Sequence, residues 1–169
     1  MALKKTSEII TIGARVVESA ANTFTEQQVD LQLNPLDNEV FILVGVNLDA
    51  QAPDALAGVN TAVSMTITST SQTALPGLNS SSCFAKSERT IRAAGFVDGG
   101  VGFDQSSFET PPSSELPYLG IIATNDFFLQ ILGANNGGAK IGVAKVYGYR
   151  AKADAATYSA LVQSEVLSS

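Results

Sequence analysis

The chain has 169 residues, 45% of them hydrophobic and only 15% charged, a length that buries a core in one domain without disulfides or metals. Histidine is absent and Cys83 is the single cysteine, which excludes His-dependent triads, His-ligated metal sites, an internal disulfide framework and multi-cysteine zinc sites. Ten basic against sixteen acidic residues give a net charge of −6, and without a cluster of Lys and Arg direct nucleic-acid binding is not expected.

The first segment, "MALKKTSEIITIGARVVESA", is interrupted by Lys5, Glu8, Arg15 and Glu18, so it lacks the apolar core of a signal peptide. No run approaches the ~20 apolar residues of a membrane span, and synthesis and assembly in the cytoplasm are expected. Ile10, Ile12 and Ala14 alternate, while Ile9, Ile12 and Val16 suit a helix. The reading adopted is an extended arm over residues 1–23, outside the body. "QVDLQL" then alternates strictly, with Val29, Leu31 and Leu33 on one face of a half-buried strand. "NPLDN" supplies turn chemistry. "EVFILVGVNLDA" is apolar on both faces and predicts a strand covered on both sides. "TAVSMTITSTSQTAL" alternates again, Val63, Met65 and Ile67 against Ser64, Thr66 and Thr68, with the β-branched content of a strand.

The middle is softer. "TIRAAGFV" predicts a strand, and "DGGVGFDQSSFETPPSSELP" a long loop with one short strand around Val101 to Phe103. A loop of that length in a compact domain is usually functional or a contact surface. "YLGIIATND" precedes "FFLQILGANNGGAKIGVAKVYGYR", which reads as a hairpin closed by Asn and Gly residues that tolerate positive φ. Finally, "DAATYSALVQSEVL" places Tyr158, Leu161, Val162 and Val166 at helical spacing behind Asp154 as N-cap. The expected fold is all-β, a single jelly roll or β-sandwich of about eight antiparallel strands with an extended N-terminal arm and a short C-terminal helix. It forms a single domain over 1–169, with arm 1–23, body 24–153 and helix or tail 154–169.

Motifs for chemistry are missing. There is no G-x-S-x-G elbow and no S-x-x-K signature, and "SSSCFAKSER" reads as a buried structural thiol. "GFVDGGVGFD" has neither phosphate-loop pattern nor a following helix. Asp98 and Asp104 lack the dense spacing of a calcium loop. Tyr118, Tyr147, Tyr149 and Tyr158 offer flat faces for a sugar platform, but tryptophan is absent. No catalytic residue, cofactor or metal site is expected, and the chain is not read as an enzyme. Mean hydropathy is +0.17, so the polar surface must come from Ser, Thr, Asn and Gln. Such a surface suits either close contacts between subunits, whose cores are depleted in charge, or a charge-poor extracellular β domain, and composition alone favours neither.

An arm, then "FTEQQVDLQLNPLDNEVFILVGVNLDA", then uneven strands, then "NDFFLQILGANNGGAKIGVAKVYGYRAKAD" resembles the single jelly-roll coat proteins of icosahedral tailless viruses. The resemblance spans Phe24 to Ala153 and rests on strand order, uncharged polar loops and a closing hairpin. It implies eight strands in two facing sheets, loops and termini that contact neighbouring subunits, and no catalytic residues. The expected role is a virion subunit that self-assembles into a shell. Its partners would be copies of itself, with a second capsid protein or an internal membrane facing the genome, because the arm sets Lys4, Lys5 and Arg15 against Glu8 and Glu18. Residues expected to carry assembly are Ile9, Ile10, Ile12, Val16 and Val17 in the arm, Asp98, Phe103, Phe108, Pro111 and Pro112 in the long loop, and Tyr158, Leu161, Val162 and Val166 at the C-terminal end. The alternative is a β-sandwich binding module, a viral fibre or spike head or a glycan-binding domain.

Overall fold

The computed structural model describes residues 3–95, 103–108 and 116–167, with only the backbone described at 103 and at 105–108. The strands are β1 (Leu3–Lys5), β2 (Ile10–Val17), β3 (Thr25–Asp30), β4 (Glu39–Ala50), β5 (Thr61–Thr68), β6 (Cys83–Arg92), β7 (Phe103–Phe108), β8 (Gly120–Ile122), β9 (Asp126–Ala134) and β10 (Ile141–Ala153). The helix α1 (Ala155–Leu167) follows, and a single 3₁₀ turn spans Pro35–Asp37.

One sheet runs β1-β10-β4-β8, with β2 also on β10, and the other runs β3-β9-β5-β6-β7. Every pairing is antiparallel. With β1 and β7 set aside, the first four strands pair with the last four in reverse order: β2 with β10, β3 with β9, β4 with β8 and β5 with β6. That is one long antiparallel ribbon rolled into two facing sheets, the jelly roll. The all-β sandwich expected from the sequence is therefore the fold.

The segment read as an external arm belongs to the body. Residues 10–17 pair without interruption along 141–148 of β10, and Leu3–Lys5 continue the same flank against 151–153. The alternation of Ile10, Ile12, Ala14 and Val16 is what makes this a strand: Val16 is buried in the core and the other three pack against it.

The core lies between the sheets. Phe41, Leu43, Met65, Ile67, Ile122, Phe127, Leu129, Ile131 and Val146 are all fully buried there. β4 explains its own two-sided hydrophobicity. Phe41 and Leu43 face the core, whereas Val40 and Ile42 face the opposite side and are buried in a second apolar layer beneath α1. The register shift between Tyr147 and Gly148 inserts Val44 as an extra residue in β4. That bulge changes the parity, so that Val46, Leu48 and Ala50 point inward further along. A Cβ at Gly148 would lie 2.5 Å from the Phe41 ring, so this glycine admits the largest inward side chain of β4.

Boundaries moved where tertiary contacts override the pattern. β3 ends at Asp30, because Gln32 takes φ 52°, yet Leu31 and Leu33 still bury. The strand expected at "TIRAAGFV" is met only by the end of β6 at 90–92. The short strand expected around Val101 to Phe103 is met only at Phe103, where β7 begins, residues 96–102 lying outside the described residues.

Candidate interaction surfaces

Four surfaces remain once the core is assigned: the two ends of the sandwich and the outer faces of its sheets. At one end, the loops β2–β3, β4–β5 and β9–β10 are tied together by side chains that meet backbone. The buried Glu18 carboxylate accepts from the amides of Thr23 at 2.9 Å, Gly133 at 3.0 Å and Lys140 at 2.9 Å. Asn22 and Asn136 exchange hydrogen bonds, the Asn22 amide group donating to the Asn136 carbonyl and the Asn136 N–H to the Asn22 side-chain oxygen. Asn22 and Asn135 hold φ near 58°, the left-handed conformation that Asn tolerates. The Lys140 ammonium, itself buried, lies 2.6 Å from Asp54. Its hydrogen bond, then that from the Gly137 amide, holds the Asp54 carboxyl below the usual range.

At the opposite end Arg150 donates to the carbonyls of Gln32 and Leu31 and pairs with Glu39. It thereby closes the turn that leaves β3.

The outer face of the β10-β4-β8 sheet carries α1. Asp154 caps the helix by accepting from the Thr157 amide at 2.7 Å, and that bond holds its carboxyl below the usual range. Tyr158, Leu161 and Val162 pack on Val40, Ile42, Ala123, Ala151 and Ala153. One turn on, the buried Glu165 accepts from the amides of Ala123 and Thr124 at 2.8 and 2.9 Å. A cleft of about 390 Å³ runs beside the helix between Phe84, Leu119, Leu161 and Glu165. Its chemistry is sparse: burial pushes the Cys83 thiol up, and Glu165 is committed to backbone amides. Among the described residues no group of three or more Cys, Asp or Glu could hold a metal ion.

The outer face of the other sheet is roofed by residues 69–82. Beneath them Gln130, Thr66 and Thr68 are fully buried yet polar. Thr66 donates to the Gln130 carbonyl oxygen at 2.8 Å, and the Gln130 amide donates to Thr68 and to Glu26 at 2.8 Å each. Glu26 also accepts from the Ser71 hydroxyl and the Gln72 amide.

Placed on this frame, the expected assembly residues divide. Val16 is buried in the subunit's own core with Ile10 and Ile12 partly buried against it. Tyr158, Leu161 and Val162 are partly buried on the second apolar layer, so the five partly buried residues keep only part of their surface for a neighbour. Ile9, Val17 and Val166 are exposed at 57%, 43% and 60%. Phe103 and Phe108 bound β7, at the edge of its sheet. Asp98, Pro111 and Pro112 lie outside the described residues. Tyr118, Tyr149 and Tyr158 pack on the layer around α1, and the Lys5 ammonium sits 5.3 Å from the centre of the Tyr149 ring. The exposed Leu36 at 93% and Leu167 at 85% escaped sequence reading, as single leucines in polar surroundings carry no periodic signal.

No protein-family model matches the sequence, and no curated protein matches it.

Proposed function

We propose that this chain is a structural virion subunit, a single jelly-roll coat protein that assembles into an icosahedral shell in the host cytoplasm. The observation that carries the reading is the complete jelly-roll strand order. Jelly rolls serve as viral capsid subunits, lectin domains and cupins. A histidine-free chain lacks the ligands of a His-dependent metal enzyme, and three of its four tyrosines are engaged beside a helix instead of stacked for sugar. Low charge and isolated exposed leucines favour contacts between copies. The partners are further copies of the chain, and a second capsid protein or an internal membrane faces the genome.

Negative-stain electron microscopy with light scattering, across salt and protein concentration, tests this. Regular shells, rings or sheets are expected, and a fixed monomer at every concentration refutes it. Leu36→Asp and Leu167→Asp change side chains that bury almost nothing within the subunit. They are expected to impair assembly while leaving the Tm unchanged.

A further inference from the structure

We propose that β2 is a self-docking edge, at which two copies of the chain join by antiparallel pairing of residues 9–17 in a register centred on Gly13. This deepens the coat-subunit reading by naming one contact between copies, and rests on that reading only for the expectation that copies meet.

The edge is open. Glu18 donates its N–H to the Lys140 carbonyl, and in an antiparallel ladder the residues facing the partner strand alternate. Ile10, Ile12, Ala14 and Val16 therefore turn their backbone groups to β10, leaving those of Thr11, Gly13, Arg15 and Val17 pointing away. All four of the latter are exposed, and among the described residues no backbone or side-chain partner meets their amides. An exposed edge of this length is a ready template for another strand.

Gly13 has no role within the subunit. Its φ is not positive, the β2–β10 register is unbroken around it, and a Cβ there would meet nothing within 4 Å. Glycine in a strand interior costs stability and often marks the close approach of another backbone. Among the described residues both the face above Gly13 and the edge beside it are open, and a second strand docking on that edge brings its backbone alongside Gly13.

The register follows from parity and chemistry. Centred on Gly13, the outward residues pair with one another: Gly13 with its own copy, Thr11 with Arg15 and Val17 with Ile9. Each such pair presents its free N–H and C=O groups to the other, the hydrogen-bonded kind of antiparallel pair. The exposed aliphatics Ile9 and Val17 cover each other at both ends. The two Arg15 side chains stand four residues apart along the strands, about 13 Å, beyond the ~8 Å screening length at physiological salt. The free edge of β3 is unsuited to the same act. Centred on Gln28, it would set Glu26 opposite Asp30, like charges that repel across strands.

Disulfide trapping decides the matter, with Cys83→Ser as background to remove the native thiol. In a hydrogen-bonded pair the two Cα atoms lie about 5.5 Å apart, within disulfide reach. Gly13→Cys, which meets no obstruction in the subunit, is expected to convert to covalent dimer on mild oxidation. Thr11→Cys or Arg15→Cys alone should remain monomeric, and the two combined should cross-link. Equal trapping at all three single positions, or none at Gly13→Cys, overturns the proposal. On the unmodified chain, hydrogen exchange gives a second readout. Amides of Thr11, Gly13, Arg15 and Val17 should slow as concentration rises while those of Ile12 and Ala14 stay slow throughout; fast exchange of the outward set at every concentration also overturns it. Shells that form without the 13–13 cross-link sink this contact but leave the coat reading standing. A cross-linked dimer that never enlarges does the reverse.

Discussion

The two sheets face outward in the same way and solve the resulting problem with opposite chemistry. On one, α1 lays Tyr158, Leu161 and Val162 over Val40 and Ile42, and the contact is apolar. On the other, residues 69–82 cover Thr66, Thr68 and Gln130, and the contact is a hydrogen-bonded layer ending on Glu26. An apolar layer tolerates any side chains of the right volume. A buried polar layer is stable only when each member keeps its partner, and in exchange it dictates a single arrangement. The helix is thus held by area and the loop by pairing.

The largest effect is expected from breaking the apolar roof. Ile42→Ala removes a fully buried side chain beneath α1 and should cost about 2–5 kcal/mol in urea unfolding. Gln130→Met keeps the volume but orphans the Thr66 hydroxyl and removes one contact each of Thr68, which keeps its bond to the Thr70 carbonyl, and of Glu26, at about 1–3 kcal/mol. Adding Thr66→Val to it should recover part of that loss, because deleting both partners of a hydrogen bond costs less than deleting one. Recovery would separate the two chemistries sharply; no recovery would mean the layer acts by shape. Glu165→Ala, which frees the Ala123 and Thr124 amides, should cost about 1–2 kcal/mol and speed proteolysis within residues 155–167 before global unfolding.

The smallest effect concerns pH. Asp54 and Asp154 both have folded-state pKa values below the ordinary 3.8, so they bind fewer protons folded than unfolded near that value. Their contribution is present above the unfolded pKa and is lost as pH falls through the folded one. Asp54→Asn and Asp154→Asn should each lower the Tm slightly at pH 7 and flatten its fall below about pH 4.

Much of this was legible in the sequence, and the remainder failed for identifiable reasons. The alternation in Val63, Met65 and Ile67 and the two-sided run in β4 gave correct faces because period 2 is fixed by the strand itself. Asp154 and the helical spacing after it located α1. The face of Thr66 and Thr68 was separated correctly from the core side, but nothing local shows that a later loop will bury it. Ile10 to Val16 alternates like any strand, and its pairing with a segment more than a hundred residues away is a long-range fact. Glu18, Asn22, Asp54, Asn136 and Lys140 likewise lie on three loops that only the rolled ribbon brings together. The single signal available was a pair of Asn residues in turn-like surroundings.

Glu18 holds its end of the sandwich by gripping main-chain amides, so most of the chain it fastens is anonymous to it. Gly133 is fixed, since a Cβ there would come within 3 Å of the carboxylate, and Lys140 is tied to Asp54. Thr23 meets the carboxylate through its amide and donates its hydroxyl to the Ala21 carbonyl, while the Ser19 amide is tied to the Thr25 hydroxyl, so Ala20 sits between these ties and is exposed. A foreign peptide spliced between Ala20 and Ala21 would leave the carboxylate's bonds to the amides intact and be carried on a firm base, which makes this loop between the two sheets a natural place for displaying an epitope or a tag.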